Sequence, residues 1–128
     1  FLVATVRPIN MGLLAFAARA LWPSARVIAS DIDPVSIDVT AENAAVNAGP
    51  LGRGPGRVVL AVAAGLHHPR LRTRAPYDLM IANILAGPLI DIAPAFAAST
   101  ALGAIIVLAG LLDTQADAVI AAVKAAWV

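Results

Sequence analysis

Apolar runs and polar breaks alternate along this chain in the manner of a repeating strand and helix. Leu2–Val6 is a short apolar run and reads as a strand, and Arg7–Gly12 breaks it with Pro, Asn and Gly. Leu13–Leu21 has helical spacing and stops before Trp22-Pro23, and Val27–Ser30 is the next strand. Asp33-Pro34 is a helix-start signal, with Asp at the N-cap and Pro at the first helical position. That helix runs to about Asn47, with Ile37, Ala41 and Ala45 four apart on one face. Ala48–Gly56 is a Gly- and Pro-rich loop, Arg57–Ala63 a third strand and Gly65–Pro76 a basic, Pro-bounded connection. Asp78–Ala82 is a fourth strand, Pro88–Ala98 a helix, Ala104–Ala109 a fifth strand and Thr114–Trp127 an amphipathic helix.

The strands carry no polar face at a period of two, which predicts a parallel sheet covered on both sides. The expected fold class is α/β: a doubly wound, mostly parallel sheet of the Rossmann-like kind, in one domain over residues 1–128. The chain does not begin with Met and opens directly on a strand-like run, so it is expected to be truncated.

Composition sharpens this picture at three points. With 60% hydrophobic and 13% charged residues, the chain is far from a disordered composition. A net charge of +1 gives no nucleic-acid footprint. The absence of Cys excludes disulfides, thiolate metal sites and cysteine nucleophiles. Ile92–Leu112 carries no charge and is long enough to span a bilayer, but Pro94, Ser99, Thr100 and Gly103 interrupt it. A helix, a turn and the strand Ala104–Ala109 account for it better, so no membrane contact is expected.

In a doubly wound sheet the ligand lies beyond the carboxyl ends of the strands, at the switch point. Asp31 follows the second strand, about 20 residues after the Arg7–Gly12 loop, where a carboxylate can accept hydrogen bonds from ribose hydroxyls. The competing role is a second turn carboxylate beside Asp33. Asn83 ends the fourth strand among Ile81, Ile84 and Leu85, and either orients a substrate amine or closes a turn. His67 and His68 read as a solvated turn, because no Asp, Glu or Cys stands near them in sequence. Arg70, Arg72 and Arg74 read as a solvated face or a docking surface for an acidic partner, and Trp22 and Trp127 as packing residues. No Ser stands in a G-x-S-x-G elbow, which argues against a hydrolase.

Three segments, ASDIDPVSIDVTAENAAVN, APYDLMIANILAGPLIDIAP and IVLAGLLDTQADAVIAA, resemble in order and spacing the ribosomal protein methyltransferase family PrmA. ANILAGPL is the most specific piece, while DIDP is shared more widely among class I methyltransferases. The resemblance implies a class I methyltransferase core, S-adenosylmethionine as cofactor, amines of a ribosomal protein as methyl acceptors and a cytoplasmic location. Carried onto this chain, it implies that Asp31 binds the ribose and Ile32 packs on the adenine. Asn83 would sit by the methionine moiety and the incoming amine, and Asn10, Gly12 and Gly65 would lie in the cofactor loops. The family's G-x-G-x-G loop corresponds here to Pro8-Ile9-Asn10-Met11-Gly12, which keeps only the last glycine, and Ala64 stands where the family usually has Asp. Those two departures support an alternative: a non-catalytic, methyltransferase-like binding or scaffold domain that kept the sheet and lost the cofactor.

Overall fold

The computed structural model describes residues 2–5, 11–47 and 49–127. Five parallel strands form one sheet: β1 (Leu2–Thr5), β2 (Val27–Asp31), β3 (Val58–Val62), β4 (Tyr77–Asn83) and β5 (Thr100–Ala109). Their order is β3-β2-β1-β4-β5. The chain runs outward from β1 to β3 on one side, then returns to place β4 on the other side of β1. The switch point therefore lies between β1 and β4. Register puts five strand-ending residues in one row, Val62, Asp31, Thr5, Asn83 and Ala109.

The helices are α1 (Met11–Leu21), α2 (Pro34–Val46), the single turn α3 (Pro69–Arg72), α4 (Ala86–Ser99) and α5 (Ala116–Ala126). Alternation along β2 shows how both faces are used, since successive side chains leave opposite faces of a strand. Val27 and Ala29 pack with Val58, with Ala15 of α1 and with Ile37 of α2. Ile28 points the other way and packs with Met80 and Ala82, with Leu89 and Phe96 of α4, and with Val119 of α5. All five residues of β2 are buried, as expected of a strand covered on both sides. Phe96 and Leu89 are essentially closed to solvent, and each such side chain contributes about 1.5–3 kcal/mol relative to an exposed one.

Several expectations are corrected. The buried stripe of α2 is Ser36, Thr40 and Ala44, one position away from Ile37, Ala41 and Ala45. Thr40 satisfies its hydroxyl within the helix by donating to the Ser36 carbonyl at 2.8 Å, so the polar stripe can be buried. Small residues there also let α1 approach: a Cβ at Gly12 would stand 3.1 Å from Thr40 Cγ2. Helix α4 begins at Ala86 rather than Pro88, because the amides of a first turn have no helical partner and a proline costs little there. Pro94 lies inside it.

The strand expected at Ala104–Ala109 begins at Thr100, directly after α4. Gly103, with φ +78°, accommodates the extra residues where the β4–β5 register shifts between Tyr77 and Leu79. Ile92–Leu112 is therefore helix followed by strand. No helix among the described residues is long and apolar enough to cross a membrane. Finally, β5 is not covered on both sides. Ile106 and Leu108 join the α4–α5 core, whereas Ile105 and Val107 are exposed on the opposite face.

Candidate functional site

Asp31 and Asp33 are two residues apart and do different work. Asp33 caps α2: its Oδ1 accepts the Val35 amide at 3.0 Å and its Oδ2 accepts the Ser36 hydroxyl. Pro34 follows at the first helical position. Asp31 closes β2, is 1% exposed and accepts the Asp33 amide on Oδ1 at 2.9 Å. It thus holds the turn that aims Ile32 outward, and Ile32 is 58% exposed.

Asn83 ends β4 in the same row and is half-buried. Gly110, the residue after β5, has φ +82°, and a Cβ there would stand 2.6 Å from Asn83 Oδ1. Only glycine combines that backbone conformation with that approach. Gly110 was not among the expected site residues. Its only local sign is a glycine immediately after an apolar strand run.

Beyond the row of strand ends lies a cavity of about 430 Å³ on the α4 side of the sheet. Its walls are Ile32, residues 63–67, Ile84, and Pro88, Ile92 and Phe96 of α4. Ser30, His67 and Asp91 supply its polar side chains. Gly65, at φ +72°, leaves the Ile92 methyl 3.9 Å from where a Cβ would stand, and Ala64 beside it is exposed on the cavity wall. An apolar slot of this size with a few polar groups suits a nucleoside-sized ligand.

The expected site residues are thus only partly brought together. Ile32 and Gly65 share the cavity, with Ala64 between β3 and the glycine. Asp31 and Asn83 end their strands in the same row, but neither lines this cavity. Gly12, in the first turn of α1, lines a separate groove of about 680 Å³ between α1 and α2, with Phe16, Arg19 and Thr40. Its contact with Thr40 gives it a packing role there. Asn10 and Pro8 lie outside the described residues. His67 is exposed at the cavity rim, whereas His68 caps α3 by accepting the Arg70 amide on Nδ1 at 3.1 Å. Among the described residues no group of three His, Cys, Asp or Glu side chains could hold a metal ion. Trp22 and Trp127 are 46% and 40% exposed, so neither is a core residue.

A family model described as ribosomal protein L11 methyltransferase (PrmA) matches residues 10–128. The chain belongs to the PrmA family. The family resemblance at ANILAGPL and DIDP is thereby borne out, and the α/β methyltransferase core with it. The ribosomal protein L11 methyltransferase of Brucella suis is 46% identical over 110 residues, covering 86% of this chain and 36% of that protein. The chain therefore spans little more than a third of the length of this PrmA relative. The crystal structure of ribosomal protein L11 methylase from Lactobacillus delbrueckii subsp. bulgaricus superimposes with a TM-score of 0.76 at 28% identity, covering 98% of this chain and 59% of that one. A precorrin-6y C5,15-methyltransferase from Geobacter metallireducens shares the fold, with a TM-score of 0.69 at 19% identity.

Proposed function

We propose that this PrmA-family chain is the cofactor-binding core of a protein methyltransferase that uses S-adenosylmethionine to methylate amines of a ribosomal protein, in the cytoplasm. The observation that carries this reading is the row in which Asp31 and Asn83 flank β1, with the apolar cavity of Ile32 and Gly65 beside it.

The residues present fit an adenosine-bearing cofactor. Asp31, at the carboxyl end of β2, would bind the ribose through its carboxylate. Ile32 and Ile92 offer flat apolar contact for a purine ring, with Phe96 deeper in the cavity. S-adenosylmethionine supplies an electrophilic methyl group when bound. Asn83 Oδ1 can accept a hydrogen bond from an incoming amine and fix its direction, and Gly110 makes room for that side chain to stand where it does. A free lysine amine has a pKa of about 10.4, and only its neutral form has a lone pair to donate. Apolar Ile84 and Leu85, which follow Asn83 directly, lower the local polarity and favour that neutral form. Alignment and desolvation are what this chain contributes to the rate.

A second reading, a non-catalytic binding or scaffold domain, is favoured by one specific observation. Ala64 lines the cavity and presents no acceptor to the exocyclic amine of an adenine. The two readings separate in a titration of the isotope-labelled chain with S-adenosylmethionine, followed by amide resonances. The methyltransferase reading expects saturable shifts at Asp31, Ile32, Ala64, Gly65 and Asn83, lost in Asp31→Ala. Unmoved resonances at millimolar ligand favour the scaffold reading.

A further inference from the structure

The edge of the sheet opposite Asp31 and Asn83 has its own chemistry. Residues 43–77 contain no Asp or Glu, yet they hold Arg53, Arg57, Arg70, Arg72 and Arg74. The parallel sheet gathers the segments that precede β2, β3 and β4 at its amino-terminal edge. A cavity of about 590 Å³ lies there, and its polar lining is Ser24, Arg26, Arg53, Thr73, Arg74, Tyr77 and Asp78. Three guanidinium groups thus face one carboxylate, and Asp78 is exposed.

Neither Arg53 nor Arg74 uses its guanidinium to hydrogen-bond another described residue, unlike Arg19, Arg57 and Arg70, which donate to the carbonyls of Gly56, Leu51 and Leu60. Arg74 is half-buried. Burial holds it below the usual arginine value, Tyr77 acts the other way, and the charges of Arg53 and Arg26 lower it further. Arginine cannot relieve such crowding by losing its proton, so a counter-anion is the available relief. Tyr77 is no competitor for that role, because its hydroxyl already donates to the Leu71 carbonyl at 2.7 Å.

We propose that Arg26, Arg53 and Arg74 form an oxyanion site at the amino-terminal edge of the sheet, and that it takes a phosphate group. Planar guanidinium forks pair two donors with two oxygens, and a phosphate dianion offers both the geometry and the charge to meet several forks at once. A monocarboxylate meets only one. The hydroxyl of Ser24 can complete the shell, whereas that of Thr73 already donates to the Arg70 carbonyl. The site stands on the opposite edge from the row of Asp31 and Asn83, so it can be filled independently of any nucleoside ligand there. Its phosphate can belong to a small phosphorylated molecule or to a nucleic-acid backbone.

The test is a resonance titration of the full 128-residue chain with pyrophosphate at constant ionic strength. Saturable shifts are expected at Ser24, Arg26, Arg53, Gly54, Thr73 and Arg74. Arg53→Gln, on an exposed loop, should weaken binding about ten-fold, the scale of one lost charged hydrogen bond pair. Arg74→Gln should do the same if it folds. Arg72→Gln removes an equal charge outside the cavity and should change affinity less than about two-fold. A short oligonucleotide that binds much more tightly than pyrophosphate identifies a polymer as the source, and equal affinities identify a small ligand. Absence of saturable shifts at millimolar pyrophosphate would overturn the proposal. So would an Arg72→Gln loss equal to that of Arg53→Gln, or succinate binding as tightly as pyrophosphate. None of these outcomes depends on S-adenosylmethionine binding.

Discussion

Asp31 and Asn83 stand in register with the same residue, Thr5, from the two sides of β1. Two strand spacings separate them, about 10 Å, and both end their strands at the carboxyl edge. This is the distance over which one extended small molecule can touch both. The arrangement follows from the strand order, because β1 lies between β2 and β4.

Gly110 and Asn83 should behave as a coupled pair. Gly110→Ala forces a side chain into positive φ and against Asn83 Oδ1, and is expected to cost about 1–3 kcal/mol in urea unfolding. In an Asn83→Ala background the steric part disappears, and the penalty should shrink toward the backbone part alone. Additive penalties in this double-mutant cycle would contradict the contact.

The cap of α2 rests on Asp33 alone. Asp33→Ala removes the acceptors for the Val35 amide and the Ser36 hydroxyl and should cost about 1 kcal/mol in chemical denaturation. Asp33→Asn and Asp33→Ser should recover most of it, since either side chain can cap.

Tyr77 is the only tyrosine in the chain, so an ultraviolet titration reads it without deconvolution. Burial pushes its pKa up from 10.0 to about 12, against a smaller opposing effect of Arg74. Between those values the folded state holds a proton that the unfolded state has lost, so stability should fall as pH rises from about 10 through about 12. Below pH 10 this contribution is fully present. Tyr77→Phe should remove that alkaline slope, and an unchanged slope would assign it to another group.

The exposed face of β5 should make the chain self-associate. Ile105 and Val107 are 63% and 46% exposed on an edge strand, which is both an apolar patch and an open hydrogen-bonding edge. Light scattering is expected to show concentration-dependent association, reduced by Ile105→Lys with Val107→Glu. A strictly monomeric parent chain would count against this.

Local signals carried much of the fold. The apolar runs located all five strands, and Asp33-Pro34 marked the start of α2 because capping is a matter of adjacent residues. The positions of Asp31 and Asn83 at strand ends were legible for the same reason. What was missed depends on contacts distant in sequence. The buried face of α2 is small and polar because α1 packs closely at Gly12, and a hydropathy pattern prefers Ile37 instead. Gly103 reads as a turn but sits within β5, where it absorbs a register shift. The role of Gly110 exists only because β5 lies beside β4. Arg70, Arg72 and Arg74 read as a solvated face or a docking surface for an acidic partner, and only the sheet brings Arg26 and Arg53 to Arg74, which is half-buried.

The central claim, a methyltransferase core whose cofactor edge is weakened at two places, is tested most directly by calorimetric titration of S-adenosylmethionine into four forms of the chain. The parent carries Pro8, which has no amide to donate, and Ala64, which has no acceptor. Each missing hydrogen bond in a closed site costs about 1–3 kcal/mol, or together about a hundred-fold or more in affinity. The parent should therefore bind weakly. Pro8→Gly with Asn10→Gly and Ala64→Asp should gain about that factor, and adding Asp31→Ala to the triple variant should abolish the gain. Asp31→Ala alone should leave no measurable binding. A folded triple variant that binds no more tightly than the parent, or a gain that survives Asp31→Ala, would contradict the account.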